Sequence, residues 1–163
     1  MKLDNPLNYN DQIQPICIPI LDDYYNGDLV TCFVSGYGTI YAGGPQSDAL
    51  NSVKMPIIDN DTCNKWLYES TKGTADNWVY DNMMCAGYEQ GKLDGCQGDS
   101  GGPLQCVENV ESEAEFREEL WYLSGAVSWG IGCAEAKKPG VYARIRYFRD
   151  WIWTNIENYE NAN

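Results

Sequence analysis

The sequence predicts an all-β domain, an antiparallel barrel or sandwich with one helix at its C-terminal end. Three observations carry this reading: short runs of branched and aromatic residues, turn residues between them, and a final stretch whose apolar period changes from strand to helix. The strand-like runs are TCFVSGYG (31–38), LNSVKMPII (50–58), PLQCV (103–107), WYLSGAVSWG (121–130) and GVYARI (140–145). Each is bounded by Gly, Pro, Asn or Asp, and such spacing suits an antiparallel barrel or sandwich. Between them, AGGPQSDA (42–49) reads as an exposed loop and NDTCNKWLYES (60–70) as a short helix. At the end, Phe148, Trp151, Ile152, Ile156 and Tyr159 recur at offsets of three and four. That period predicts an amphipathic helix docking one face on the barrel.

Composition limits the function. The 163 residues show no composition shift or linker, so one globular domain is expected. A net charge of −13 repels phosphate backbones and anionic lipid, and no basic patch offsets it, which argues against a nucleic-acid or membrane-surface role. Much of the charge sits in VENVESEAEFREEL (107–120), where six glutamates face one arginine. Such a stretch reads as a solvated loop, or as an accessory site for basic partners. No apolar run approaches the roughly 18 residues needed to cross a bilayer, and MKLDNPLNY lacks the features of a secretory signal.

The seven cysteines, at 17, 32, 63, 85, 96, 106 and 133, are many for a cytosolic protein. None forms a C-x-x-C pair and there is no histidine, so the usual zinc ligand sets are out of reach apart from an all-cysteine one of unlikely spacing, and neither metal nor cofactor is expected. Disulfides in an oxidising compartment are the better reading. The odd count leaves one cysteine seeking a partner elsewhere. Asn60, in NDT, heads the one N-x-[ST] sequon and is a glycosylation candidate.

The densest signal is GCQGDSGGP (95–103). Glycine on both sides of a serine costs conformational freedom that an ordinary strand does not need to spend. GDSGGP (98–103), preceded by DGCQ and followed by VSWGIGC (127–133) and KPGVYARI (138–145), resembles the trypsin-like, chymotrypsin-fold serine endopeptidases. At about 5 to 7% per letter, six specified positions recur by chance in such a chain on the order of once in 10⁵. The resemblance runs from Met1 to the last helix, with NDQIQPICIP (10–19), SGYG (35–38) and MCAG (84–87) in the family order, and Tyr37 where most members carry tryptophan. It implies a six-stranded Greek-key barrel, the second of two, with 1–30 as the inter-barrel connection, 31–144 as the barrel and 145–163 as helix and tail.

The resemblance also implies roles. Ser100 would be the acyl-forming nucleophile, with the backbone N–H groups of Gly98 and Ser100 as the oxyanion hole; one such donor lowers the barrier by about 3 to 4 kcal/mol. A Cβ at Gly98 would hinder the approach of the backbone to substrate. Asp99 would pair with the N-terminal ammonium created on activation. Asp94 would floor the primary substrate pocket and select Arg or Lys, since opposite charges 4 Å apart attract by about 4 kcal/mol at an effective dielectric of 20, before desolvation. Gly130 and Gly140 would leave the pocket open, Trp129 would line the substrate cleft, and Ser128 and Gly130 would pair with the substrate backbone as an added strand.

By the same resemblance Cys32 pairs with Cys106, Cys63 with Cys85 and Cys96 with Cys133, each bridge contributing roughly 3 kcal/mol. Cys17 is left for a segment upstream of the activation site. The histidine base and its aspartate belong to the family's other barrel, which leads to the expectation that this chain is a C-terminal portion of a secreted or membrane-anchored ectodomain protease, inert alone. Its partners would be the N-terminal barrel, the segment joined through Cys17, and substrates with Arg or Lys at the cleaved position. Two other classes compete: a non-catalytic homologue acting as a binding module, which explains the missing base, and a standalone structural or decoy domain, which would need its own signal and an even cysteine count.

Overall fold

The computed structural model describes residues 3–19, 30–108 and 120–161. Among the described residues, seven strands form one antiparallel sheet: β1 (Val30–Gly36), β2 (Asn51–Lys54), β3 (Ile57–Ile58), β4 (Met83–Ala86), β5 (Pro103–Glu108), β6 (Trp121–Trp129) and β7 (Gly140–Arg144), in the order β2-β1-β5-β6-β7-β4-β3. The two edge strands, β2 and β3, are halves of one segment, the run read from sequence as 50–58. Its first half pairs with β1 and its second with β4. Hydrogen bonding continues across the break, Met55 N–H donating to Cys32 O at 2.8 Å and Gly87 N–H to Pro56 O at 2.9 Å. Pro56 has no N–H to give to a ladder, so the strand bends there and changes partner. Counted as one bent strand, it makes the expected six and brings the two edges of the sheet together.

Alternation sorts the core. In β1, Val30, Cys32 and Val34 point inward and join Leu104, Met84 and Tyr142 in the barrel interior. In β7, Val141 faces the opposite way from Tyr142 and belongs to a second cluster with Ile58, Cys63, Leu67, Ala75, Val79 and Cys85. That cluster lies under α1 (Asn60–Ser70), where Cys63 and Leu67, four residues apart, share the buried stripe. Asp59 caps the helix by accepting the Thr62 N–H at 2.8 Å.

Three disulfides are present: Cys32–Cys106 across β1 and β5, Cys63–Cys85 from α1 to β4, and Cys96–Cys133 between the turns that follow Asp94 and Gly132. Cys17 is free and exposed. Its backbone continues beside β6, its N–H donating to Trp121 O at 2.9 Å and its carbonyl accepting from Leu123 N–H at 2.8 Å.

MCAG, read as a landmark, begins within β4. One expectation changes. The terminal stretch forms a 3-10 turn (Ile145–Phe148) and then α2 (Arg149–Asn161), but Trp151, Ile156 and Tyr159 stay exposed, so the apolar face does not dock on the barrel. Helical period specifies that an apolar face exists, not what covers it. The acidic stretch 107–120 falls, apart from its first two residues and its last, outside the described residues.

Candidate active site

Residues 94–103 form a chain of tight turns between the core and β5. Asp99 N–H donates to Cys96 O at 3.1 Å, and Gly98 has φ of +99°, the left-handed geometry required at the third position of such a turn. The Gln97 carbonyl is held by Thr39 N–H at 2.8 Å. Because the peptide is planar and trans, the Gly98 N–H must point the opposite way. One remote backbone donor therefore fixes the direction of the candidate oxyanion donor. Glycine is required here by φ and by packing: a Cβ would come 2.8 Å from Gln46 Nε2 and 3.2 Å from Gly38 Cα. These contacts within the protein are a stronger reason for Gly98 than clearance for substrate.

Ser100 is exposed and lines a cavity of about 140 Å³ together with Asp94, Ser128, Trp129, Gly130 and Gly140. Segments distant in sequence thus meet around one hollow. Gly98 and Asp99 are outside that lining and border Ser100 on its other side, with Ser35 and Tyr37. The chain supplies no imidazole, since it contains no histidine.

Asp94 is half-buried in the cavity wall, its Oδ2 accepting the Ala134 N–H at 3.1 Å. Burial raises its pKa to about 6; N–H bonds from Ala134 and Gly95 oppose the rise and the charge of Asp99 adds to it. A carboxylate held short of water in this way gains from any cation that enters. Gly140 packs directly on it, because a Cβ there would lie 2.9 Å from Asp94 Oδ1 and 3.0 Å from Tyr142 Oη. Gly130 has only Gly132 O, at 3.8 Å, near its own would-be Cβ and leaves open space. Tyr142 completes the wall, and burial followed by the nearby Asp94 raises its phenol well above the ordinary value.

Asp99 points away from this cavity into a second one of about 490 Å³ lined by Gly36, Gly38, Thr39 and Cys96 among others. Its Oδ1 accepts Gly38 N–H at 2.8 Å and its Oδ2 accepts Cys96 N–H at 2.9 Å. Neither Thr39, Ala134 nor Tyr142 stood out in the sequence as a site residue. SGYG was visible as a motif, but nothing in its spacing linked it to a turn some sixty residues later.

Asn60 is occupied. Its Nδ2 donates to Tyr80 O at 3.0 Å and Met83 O at 3.3 Å, and its Oδ1 accepts from Arg144 Nη2 at 3.0 Å. A sugar attached to Nδ2 would displace these bonds; the sequon marks an acceptor triplet and says nothing of how its amide is used.

A closed antiparallel barrel that sets a glycine-flanked serine beside a carboxylate-walled cavity has the design of a serine protease domain. The family model described as Trypsin matches residues 1–152, and the chain belongs to that family. It is 39% identical over 156 residues to the serine proteinase stubble of Drosophila melanogaster, covering 96% of this chain and 18% of that protein. It is 41% identical over 153 residues to transmembrane protease serine 9 of Rattus norvegicus, covering 93% of this chain and 13% of that protein. The chain thus spans less than a fifth of the length of these curated relatives.

Proposed function

We propose that this chain carries the nucleophile, the oxyanion donors and the specificity pocket of an endopeptidase that cleaves after Arg or Lys by forming an acyl-enzyme at Ser100. The observation that carries this reading is the sharing of one cavity by Ser100 and the half-buried Asp94. Substrate enters with its basic side chain towards Asp94, its backbone adding a strand along Ser128 and Gly130. Ser100 Oγ attacks the scissile carbonyl, and the Gly98 and Ser100 N–H groups receive the developing oxyanion. The proton leaving Ser100 goes to a base from outside this chain, which has no histidine. The new N-terminal ammonium enters the Asp99 cavity, where the carboxylate already accepts two N–H groups.

Loss of the histidine or serine of such a site costs about 10⁶ in turnover in subtilisin, the worked case for this effect. The 163-residue polypeptide by itself should hydrolyse Arg and Lys esters no faster than its Ser100→Ala variant. Serine-dependent turnover by the chain alone would overturn the need for an external base. Joined to an upstream barrel that supplies histidine and aspartate, it should cleave Arg and Lys esters, and failure there would remove the catalytic reading. The missing histidine favours one alternative, a non-catalytic homologue that binds partners; it would bind arginine-containing peptides yet show no turnover even with the base restored. Three disulfides suit a secreted protein or an ectodomain, with Cys17 as the link to a further segment.

A further inference from the structure

The turn that brings the Ala134 N–H to Asp94 has a costly backbone, and its far end is tied to α1 by charge. Gly132 has φ of +76°, Ala134 of +57° and Lys137 of +56°. Glycine adopts this left-handed region freely, whereas a Cβ makes it unfavourable at Ala134 and Lys137. Such residues persist only where their surroundings over-determine them. Here the surroundings hold the turn from three sides. The Cys96–Cys133 disulfide fixes its start. The segment 89–92 grips it twice through the backbone, Lys92 N–H donating to Ala134 O at 2.7 Å and Lys137 N–H to Glu89 O at 2.8 Å. Gly91 allows that close approach, because a Cβ there would collide with Ala134 O. On the third side the Lys137 side chain reaches α1, its Nζ 2.6 Å from Glu69 Oε2, and lies 3.8 Å from Glu89 Oε1. Sequence reading gave none of these charges a role.

From this arrangement we infer that Lys137, paired with Glu69 and Glu89, is a positioning residue for the Asp94 carboxylate and thereby sets how tightly the cavity holds a basic side chain. The inference rests on the proposed protease reading. Lys137 is not among the residues that line the cavity. It acts through the backbone: holding Lys137 holds the turn, and the turn aims the Ala134 N–H at Asp94 Oδ2, 3.1 Å away. That bond favours the ionised carboxylate, the form a guanidinium or amidinium needs, against the burial that disfavours it. Without the ion pair the turn relaxes from its left-handed conformation, the bond weakens, and burial prevails up to a higher pH. Asp99 and Tyr142 are the other titratable groups facing Asp94, and Lys92 borders the second cavity with it; all three are retained when Lys137 or Glu69 is substituted. The paired side chains are 39% and 38% exposed, so water screens them and the effect is several-fold, not orders of magnitude.

The test uses the complete protein that carries this chain together with its base. The inhibition constant of benzamidine is read from well below to well above pH 6, where Asp94 titrates, with KM and kcat for an arginine ester alongside. In Lys137→Met the constant at neutral pH should rise about three- to fivefold, the size an exposed ion pair supplies, and the pH at which binding falls away should move upward. KM should rise in step while kcat holds, since Gly98 and Ser100 lie outside the turn. Glu69→Gln should produce the same changes, and the double variant no more than either alone. Lys137→Arg should stay close to the parent. The direction of the pH shift separates positioning from a direct field: through space, loss of a cation at 137 and of an anion at 69 would move the midpoint in opposite directions, whereas through the turn both move it upward. An inhibition constant does not depend on how much folded enzyme is present. Opposite shifts, an unmoved midpoint, or a lower melting temperature with an unchanged inhibition constant overturns the inference, while a parent that binds benzamidine and cleaves the ester leaves the protease reading standing. A parent that does neither removes both.

Discussion

The Gly38 N–H donates to Asp99 Oδ1 at 2.8 Å, joining two backbone segments that lie 61 positions apart in sequence. With the Cys96 N–H bond to Oδ2, the carboxylate ties down the turn that holds Gly98 and Ser100. Hydrogen bonds to a charged acceptor contribute about 1.5 to 3 kcal/mol each, more than neutral ones.

Asp99→Asn should therefore lower thermal stability by about 2 kcal/mol, because the amide NH₂ faces an N–H where an acceptor is needed. Gly38→Ala should do comparable harm, since its Cβ would come 2.5 Å from the Asp99 carboxyl carbon. Thermal unfolding of both variants checks this. Wild-type melting temperatures would show that the bonds do not hold the turn.

Asp94 gives the chain a pH signature. Its folded pKa of about 6 stands above the ordinary 3.8, so between these values the folded state holds a proton that the unfolded state has lost. Stability from this residue is present below the lower value and is lost as pH rises towards 6. Asp94→Asn, which has no charge to bury, should be more stable than the parent at pH 8 by on the order of 2 kcal/mol, the difference fading by pH 4. Denaturant unfolding at the two pH values measures it.

The same titration works in reverse on binding. A guanidinium or amidinium ligand needs the ionised carboxylate, so its affinity should fall as pH drops below about 6, close to tenfold per unit once the proton dominates. Asp94→Asn should abolish both the binding and its pH dependence. Calorimetric titration with an arginine analogue reads both.

Cys17 is the one free thiol and is exposed, while the other six cysteines are paired. Without reductant, iodoacetamide should add one carbamidomethyl group to the folded chain, at Cys17. Labelling at any other cysteine, read by peptide mass, would contradict the pairing.

Arg144 binds the end of β7 to the start of α1, with Nη2 2.7 Å from Met83 O and 3.0 Å from Asn60 Oδ1 and Nε 3.0 Å from Asp81 O. Arg144→Ala strips acceptors of a charged donor and should cost about 2 to 3 kcal/mol in denaturant unfolding. Arg144→Lys should recover only part, because an ammonium cannot reproduce the fork.

Much of the candidate site was legible because it is local. Asp94, Gly98, Asp99, Ser100 and the glycines after it lie within one turn-rich stretch, where residue order alone fixes their neighbourhood. The strands were legible as branched and aromatic runs between turn residues, and α1 as a short helix over 60–70. Less visible was β4: four residues are too few for a period to emerge, and its pairing with β7 defines it. The terminal helix was found, but its exposed Trp151 face shows that a period does not choose a partner.

The sequence by itself determined most of the elements, the family, and the residues that stand within a few positions of Ser100. Tertiary structure alone decided that 51–58 joins both edges of the sheet, that Thr39 orients the Gln97–Gly98 peptide, that Gly140 lies against Asp94 and that Trp78 reaches Trp129. The reason is physical: propensity and period act over a few residues, whereas each of these contacts joins segments brought together when the apolar faces of the sheet are buried.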